Sequence, residues 1–132
     1  TSSRSFRAIT DVVRLSGLMD SCIVMVRGEL QMSEFRETAG DLRLGSYVVQ
    51  RSNLQQHIDA AHTYGAEILF VAHGDDRYLR NREIVADIKE AGLAAGASII
   101  NTRCALEAAR QDGCDAIVTD RADQLEYFVG VS

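Results

Sequence analysis

The stretch Glu67-Ile68-Leu69-Phe70-Val71-Ala72-His73-Gly74-Asp75-Asp76 decides the fold class of this chain. Ile68 to Ala72 form a continuous apolar run, without the alternation of apolar and polar residues that marks a strand with one face in water. Strands buried on both faces are typical of parallel sheets, in which a helix returns the chain between successive strands. The abrupt change to a histidine and two acidic residues predicts a polar edge at the carboxyl end of this strand.

Four further runs of this kind predict a sheet of five strands. Each run is short, rich in Val, Ile or Ala, and bounded by a polar or glycine-containing turn. With the first run, taken as Glu67 to Ala72, the predicted strands are Cys22 to Val26, Ser46 to Gln50, Ala97 to Asn101 and Asp115 to Thr119.

Segments with helical spacing of apolar residues lie between the predicted strands. In the clearest one, Asn53 is a candidate N-cap, Leu54, Ile58 and Ala61 share a face, and Gly65 is placed for a left-handed C-cap. The others are an opening helix with Phe6, Ile9 and Val13 on one side, a weaker candidate from Ser33 to Ala39, a helix carrying Ile84, Ile88 and Ala91, a helix from Cys104 to Asp112 ended by Gly113, and a last helix from Asp123 to Val129.

This strict alternation predicts an α/β fold that forms a single domain over residues 1–132. Two architectures have this pattern, an open doubly wound sheet and a closed eightfold barrel. The strand count alone favours the open sheet. The side chains that follow each strand favour the barrel, and we therefore predict five parallel βα units of a partial TIM-type barrel, with strand order 1-2-3-4-5 along the chain.

Composition excludes several classes of function. The formal charge is −5 and no basic tract is present, which argues against nucleic acid as a partner. No apolar run approaches the roughly 20 residues of a membrane span, and the first residues do not form a signal peptide. The three cysteines, Cys22, Cys104 and Cys114, are widely spaced, so unpaired thiols and a reducing, cytoplasmic location are expected.

Charged side chains follow every predicted strand. Arginines interleaved with carboxylates suit a phosphorylated substrate held beside a divalent cation, because guanidinium groups bind phosphate oxygens and carboxylates bind the metal. His73, Asp75 and Asp76 are the candidate metal ligands, although solvated loops and an N-cap role for Asp75 explain them equally simply. We expect one end of the sheet to gather Arg27, His73, Asp76, Asn101 and Asp120, and the other to carry Ser46, Glu67 and Asp115.

The common sequence motifs of several enzyme classes are absent, and the two remaining histidines do not form a metal-binding pair. The sequence contains no GxGxxG, no GxxxxGK[ST], no GxSxG and no HExxH, which argues against a dinucleotide enzyme, a P-loop enzyme, a serine hydrolase and a zinc peptidase. His57 and His62 are five residues apart, so they do not share a helix face and are interpreted as surface or edge residues.

The final third of the chain combines three features: Ile99-Ile100-Asn101-Thr102, a helix with Ala105, Leu106 and Ala109, and Gly113-Cys114-Asp115-Ala116-Ile117-Val118-Thr119-Asp120-Arg121. This combination has a resemblance to the end of the glycerophosphodiester phosphodiesterase family. Leu125-Glu126-Tyr127-Phe128 continue it, and Ile23 to Arg27 and Ile68 to Asp76 match earlier family strands more loosely. Ala122 stands where the family usually has proline, and Ile where an aromatic residue often precedes the Asn turn.

This resemblance implies the C-terminal portion of a β/α barrel, because the family's catalytic His-Arg pair, its Glu-x-Asp and its second histidine have no equivalent before Cys22. It further implies a metal-dependent hydrolase of lipid metabolism. Its cation, Mg²⁺ or Ca²⁺, would be held mostly by residues outside this chain. Arg27, Asn101, Asp120 and Arg121 are then the substrate-binding candidates, for a small phosphodiester.

Two other readings stay open from the sequence. One is a non-catalytic α/β module used for binding or association, and the other is a different phosphate-binding barrel enzyme. No lysine follows any strand, which removes the aldolases that use a Schiff base. If the chain is a partial barrel, we expect it to associate with itself or with a complementary N-terminal segment, since such a barrel leaves strand edges uncovered.

Overall fold

The computed structural model describes residues 3–72 and 81–124, over which helices and strands alternate. The helices are α1 (Ser3–Ser16), α2 (Gly28–Thr38), α3 (Leu54–Tyr64), α4 (Arg82–Glu90) and α5 (Arg103–Asp112). The strands are β1 (Ile23–Val26), β2 (Arg43–Val49), β3 (Ala66–Ala72), β4 (Ala94–Ser98) and β5 (Ala116–Val118). The predicted metal ligands and most of the predicted last helix lie outside the described residues. None of the helices described is long and apolar enough to span a membrane.

The sheet has the predicted topology. Its five strands are parallel and lie in the order β1-β2-β3-β4-β5. The sheet curls into a half-barrel with the helices outside, which confirms a partial TIM-type α/β barrel and excludes a doubly wound sheet. A sheet that closes on itself places all the strands' carboxyl ends around one mouth.

The main core lies between the outer face of the sheet and the helices. Leu44, Leu69 and Val71 face outward from β2 and β3 and are at most 1% exposed. Met32 and Phe35 of α2 are fully buried, and the Phe35 ring packs edge-on against Phe6 of α1 at 5.5 Å between ring centres. This apolar layer fixes α1, α2 and α3 against the sheet, and thereby the loops at the mouth.

The inner face of the half-barrel combines glycines with large apolar side chains. A Cβ atom at Gly96 would collide with the Phe70 ring, and one at Gly45 would lie 2.6 Å from Met25 Sδ and 2.8 Å from Ile68 Cγ2. Neighbouring large side chains therefore cover both glycines, so that Phe70 and Ile68 are only 7% exposed although they face inward.

Two strand boundaries differ from the prediction. β2 begins at Arg43 rather than Ser46, and β4 spans Ala94–Ser98 rather than Ala97 to Asn101. The expectation that Ser46 marks the amino end of the sheet is therefore wrong, because Ser46 pairs with Val26, the last residue of β1. Gly96 precedes the predicted strand, but in β4 it is paired and lies under Phe70, a tertiary contact that overrides its low strand propensity.

The predicted C-terminal ends of two helices agree with the structure, whereas two predicted helix starts and one residue of the α1 face do not. Gly65 and Gly113 adopt the left-handed C-cap conformation at φ 71° and 90°. Asn53 makes no side-chain cap to α3, and α2 begins at Gly28, five residues before the predicted start at Ser33. Ile9 is 39% exposed, so it does not share the buried side of α1 with Phe6.

Candidate functional site

A cavity of about 790 Å³ opens at the carboxyl ends of the strands, on the inner face of the half-barrel. Its wall is mostly apolar and its polar side chains lie at the rim. The lining residues are Met25, Tyr47, Val48, Phe70, Ala72, Ser98, Ile99, Asn101, Val118 and Asp120. A mostly apolar pocket with a few convergent polar groups is the usual form of a small-molecule site.

Asn101 organises the polar rim. Its Oδ1 accepts hydrogen bonds from the backbone N–H of Asp120 at 2.9 Å and from the Thr119 hydroxyl at 3.2 Å. Its Nδ2 donates to Asp120 Oδ2 at 3.2 Å. The Asn101 amide therefore ties the loop after β4 to the loop after β5, and it holds the Asp120 carboxylate at the cavity edge. Both side chains are solvent-exposed and retain hydrogen-bonding capacity for a polyol hydroxyl or a cation.

An irregularity in β2 brings two consecutive residues into the cavity wall. The pairing register between β2 and β3 shifts between Ser46 and Val49, and Val48 adopts a φ of 65°. A positive φ is rare for a β-branched residue and costs on the order of 1–3 kcal/mol. The Asn53 side chain spans the irregularity, donating to the Val48 carbonyl at 3.2 Å and accepting from the Gln50 N–H at 2.8 Å. Tyr47, 37% exposed, thereby faces the cavity beside Val48.

The predicted arginines lie at the mouth but are not among the described residues that line the cavity. Arg27 directly follows β1 and is exposed, and its backbone N–H donates to Gln31 Oε1 at 2.7 Å. Arg121 pairs loosely with Asp123 at 3.6 Å. Arg51 turns outward to α4, where it pairs with Asp87 at 2.9 Å. Asn101 and Asp120 are thus brought together as expected, whereas the arginines stand further out.

The opposite end of the sheet also carries charges, but there they are paired. Arg43 on β2 forms an ion pair with Glu67 on β3, and Lys89 pairs with Asp115 at 3.2 Å. The Ala95 N–H donates to Asp115 at 3.0 Å, and this hydrogen bond, together with Lys89, lowers the pKa of that carboxyl. Glu67 and Asp115 therefore mark the amino end as predicted, where their charges hold the strands together.

No group of three or more metal-ligating His, Cys, Asp or Glu side chains occurs within residues 3–72 and 81–124. His73, Asp75 and Asp76 fall outside these ranges. Of the cavity-lining residues, Asp120 and Asn101 carry the side-chain oxygens best suited to a hard cation. These two side chains therefore fit the edge of a cation site that other residues would complete.

Two predictions about individual side chains have different outcomes. The cysteines are unpaired as expected, and burial raises the pKa of the Cys114 thiol to about 11, which keeps it protonated. The surface position expected for His57 is wrong, because its side chain is 7% exposed and contacts the buried Ser46 hydroxyl. Helical spacing carried the signal for this burial, since His57 lies three residues after Leu54 and four before Ala61, on the buried face of α3. Tyr47 was also missed; the inward alternation of β2 is the signal that identifies it.

No protein-family model matches the sequence, and no curated protein matches it. Solved structures do match. A protein named as a glycerophosphoryl diester phosphodiesterase from Silicibacter pomeroyi superposes with a TM-score of 0.75 at 18% identity, over 96% of this chain and 43% of its own. A glycerophosphoryl diester phosphodiesterase from Parabacteroides distasonis gives 0.65 at 15% identity, over 92% and 46%.

A third structure, an Oleispira antarctica phosphodiesterase in complex with its product sn-glycerol-3-phosphate, gives a TM-score of 0.65 at 16% identity, over 82% of this chain and 41% of that one. The chain has the fold of a glycerophosphodiester phosphodiesterase half-barrel. It spans less than half the length of each of these structures. The resemblance predicted from the final third of the sequence is thus confirmed in fold, over most of the chain.

Proposed function

We propose that this chain is one arc of the active-site mouth of a glycerophosphodiester phosphodiesterase, as its C-terminal portion and a single domain. The observation that carries the proposal is the hydrogen-bonded Asn101–Asp120 pair, which lies at the mouth of the inner-face cavity in a half-barrel of that fold. The product complex of the Oleispira antarctica phosphodiesterase supports glycerol 3-phosphate as the ligand class. The site of action would be the cytoplasm.

In the proposed reaction, water attacks phosphorus, the bond between phosphorus and the alcohol oxygen breaks, and a proton passes to the departing alcohol. Arg27 and Arg121 supply guanidinium groups for the phosphate oxygens, while Asn101 and Asp120 bind the glycerol hydroxyls. When bound, a divalent cation, Mg²⁺ or Ca²⁺, would offset the charge on the phosphoryl group. His73, Asp75 and Asp76 are proposed to contribute to its site, with most ligands coming from outside this chain.

The test is hydrolysis of glycerophosphocholine by the complete gene product that contains these residues, with Mg²⁺ or Ca²⁺ added. We expect release of choline and glycerol 3-phosphate, and a loss of about tenfold or more in kcat/KM for Asp120→Asn, since one charged hydrogen-bond partner is removed. Glu107→Gln is the matched control, because Glu107 is a partly exposed carboxylate on α5 that pairs with Arg110. Absence of turnover with either cation would contradict the proposal.

A further inference from the structure

A buried polar contact lies behind the mouth, on the helix-facing side of β2. Ser46 is fully buried, and its hydroxyl lies 3.3 Å from Nδ1 of His57, a residue of α3 that is 7% exposed. The same hydroxyl oxygen lies 3.2 Å from the backbone N–H of Gly28, the first residue of α2. Ser46 therefore connects three elements through a single side chain.

The donors and acceptors of this contact have a consistent order when His57 is neutral and carries its proton on Nε2. The Gly28 N–H can only donate, so the Ser46 oxygen accepts from it. In that tautomer the Ser46 hydroxyl donates to His57 Nδ1, and in the other neutral tautomer the Ser46 oxygen accepts from the Nδ1–H, so either form keeps the three groups in contact. Burial lowers the pKa of His57 and so favours the neutral ring that this order needs. A relay thus runs from Gly28 through Ser46 to His57.

The relay ends at the turn that carries Arg27. Gly28 has a φ of 84°, and nothing would lie within 4 Å of a Cβ atom there, so glycine is required by the backbone conformation and not by space. Gln31 accepts from the Arg27 N–H at 2.7 Å, and Ser46 accepts from the next N–H along the chain. Two consecutive peptide groups are therefore fixed directly beneath an exposed arginine.

We propose that Ser46 and His57 are positioning residues, which hold the Arg27–Gly28 turn so that the Arg27 guanidinium is presented to the substrate phosphate. This inference rests on the proposed function, in which Arg27 binds phosphate. A guanidinium group misplaced by a mobile turn loses the geometry of a two-pronged phosphate contact, although its charge is retained.

The decisive experiment is a double-mutant cycle in the complete gene product, read by the Kd for sn-glycerol 3-phosphate and by KM and kcat for glycerophosphocholine. We expect Ser46→Ala to raise Kd and KM about fivefold to tenfold and to change kcat little. Arg27→Ala should raise both constants as well, and the double variant should be no worse than Arg27→Ala alone. Ser46→Thr keeps the hydroxyl, and His57→Asn keeps an acceptor near the Nδ1 position. Each of these single variants should therefore avoid most of the loss expected for Ser46→Ala.

Thr10→Ala is the matched control, because Thr10 also has a buried hydroxyl, and its described hydrogen bond, to the Phe6 carbonyl, stays within α1. It should lower stability without moving Kd or KM. Additive losses in the Arg27–Ser46 cycle, or an equal rise of KM in Thr10→Ala, would overturn the relay.

Amide hydrogen exchange at Gly28 separates this inference from the proposed function. Ser46→Ala should speed exchange at the Gly28 N–H by about tenfold or more relative to neighbouring α2 amides. An unchanged rate would overturn the relay even in an active enzyme. A wild-type protein without turnover or glycerol 3-phosphate binding would overturn the phosphate-presenting role together with the proposed function, whereas faster exchange at Gly28 would still establish the relay itself.

Discussion

Arg36 shows how much a single partly buried side chain contributes at the end of the half-barrel opposite the cavity. Its guanidinium group donates to carbonyls of two separate loops, including Leu42 on one side and Tyr64 and Gly65 on the other. Burial lowers the pKa of Arg36, but the group remains charged at any ordinary pH. One cation thereby joins the α2–β2 connection to the C-terminus of α3, where helix carbonyls favour positive charge.

Replacing Arg36 should therefore be costly for stability. Arg36→Lys keeps the charge but cannot reach both loops with a planar fork, so we expect it to lower the free energy of unfolding by about 2 kcal/mol, and Arg36→Ala by more. Urea denaturation measures this. Arg110→Lys is the control, since Arg110 is exposed and pairs only with Glu107 among the contacts described, and it should change stability by about 0.5 kcal/mol or less.

His57 predicts a dependence of stability on pH. Burial lowers its folded-state pKa below the ordinary value of 6.5, so the unfolded chain binds the proton more readily. Its contribution is fully present above that value and is lost as pH falls through the folded pKa. We expect the unfolding free energy to drop between pH 8 and pH 5 by a larger amount in wild type than in His57→Asn. Equal pH dependence in the two proteins would contradict this, and exposed His62 is the same in both.

At the scale of elements, prediction succeeded where a strand's own residues carried the signal. Ala66–Ala72 was found almost to the residue, because Ile68 to Val71 are apolar without interruption. β4 was displaced by three residues toward Ile99 and Ile100, which have high strand propensity but lie beyond the strand end. What makes Ala94–Ser98 a strand is its pairing with β3 and the Phe70 ring over Gly96, and neither contact is local in sequence.

The irregularity in β2 offers an element-scale prediction. Since Val48 has a φ of 65°, glycine there removes strain while losing only a half-buried side chain. We expect the free energy of unfolding of Val48→Gly to lie within about 1 kcal/mol of the wild-type value. Its neighbour Val49 is fully buried, so Val49→Gly should cost about 3 kcal/mol. Thermal and urea unfolding compare the pair, and similar losses for both would mean that Val48 is not strained.

At the scale of the whole molecule, the sequence predicted which strand ends meet. It did not predict which charged side chains are paired with each other and which remain able to bind a ligand. Glu67 and Asp115 were predicted at the amino end of the sheet, but their pairing, Arg43 with Glu67 and Lys89 with Asp115, was not. These partners are 24 and 26 residues apart, and their pairing follows only from which elements become neighbours in the fold. The pairing of β4 with β5 likewise brings Asn101 to Asp120, so the site could be predicted as a region but not as contacts.

The half-barrel has two strand edges that each pair on one side only within the described residues, β1 with β2 and β5 with β4. Apolar side chains are also exposed on β5, after β4 and on α1: Val118 is 44% exposed, Ile99 50%, Val12 67% and Leu15 88%. The sequence contains no proline to block edge pairing. Exposed edges and apolar surface of this kind favour association.

We therefore expect the purified chain, taken alone, to self-associate or to bind a complementary N-terminal segment, and to show no phosphodiesterase turnover. Light scattering should give a mass above that of a monomer, and glycerophosphocholine should remain intact with Mg²⁺ or Ca²⁺. Val118→Lys places a charge on the β5 edge and should shift the chain toward monomer, whereas Gln111→Lys on exposed α5 surface should not. A stable monomer that hydrolyses substrate would contradict this prediction: the acid–base residues would then lie within these 132 positions, with His73, Asp75 and Asp76 the first to replace.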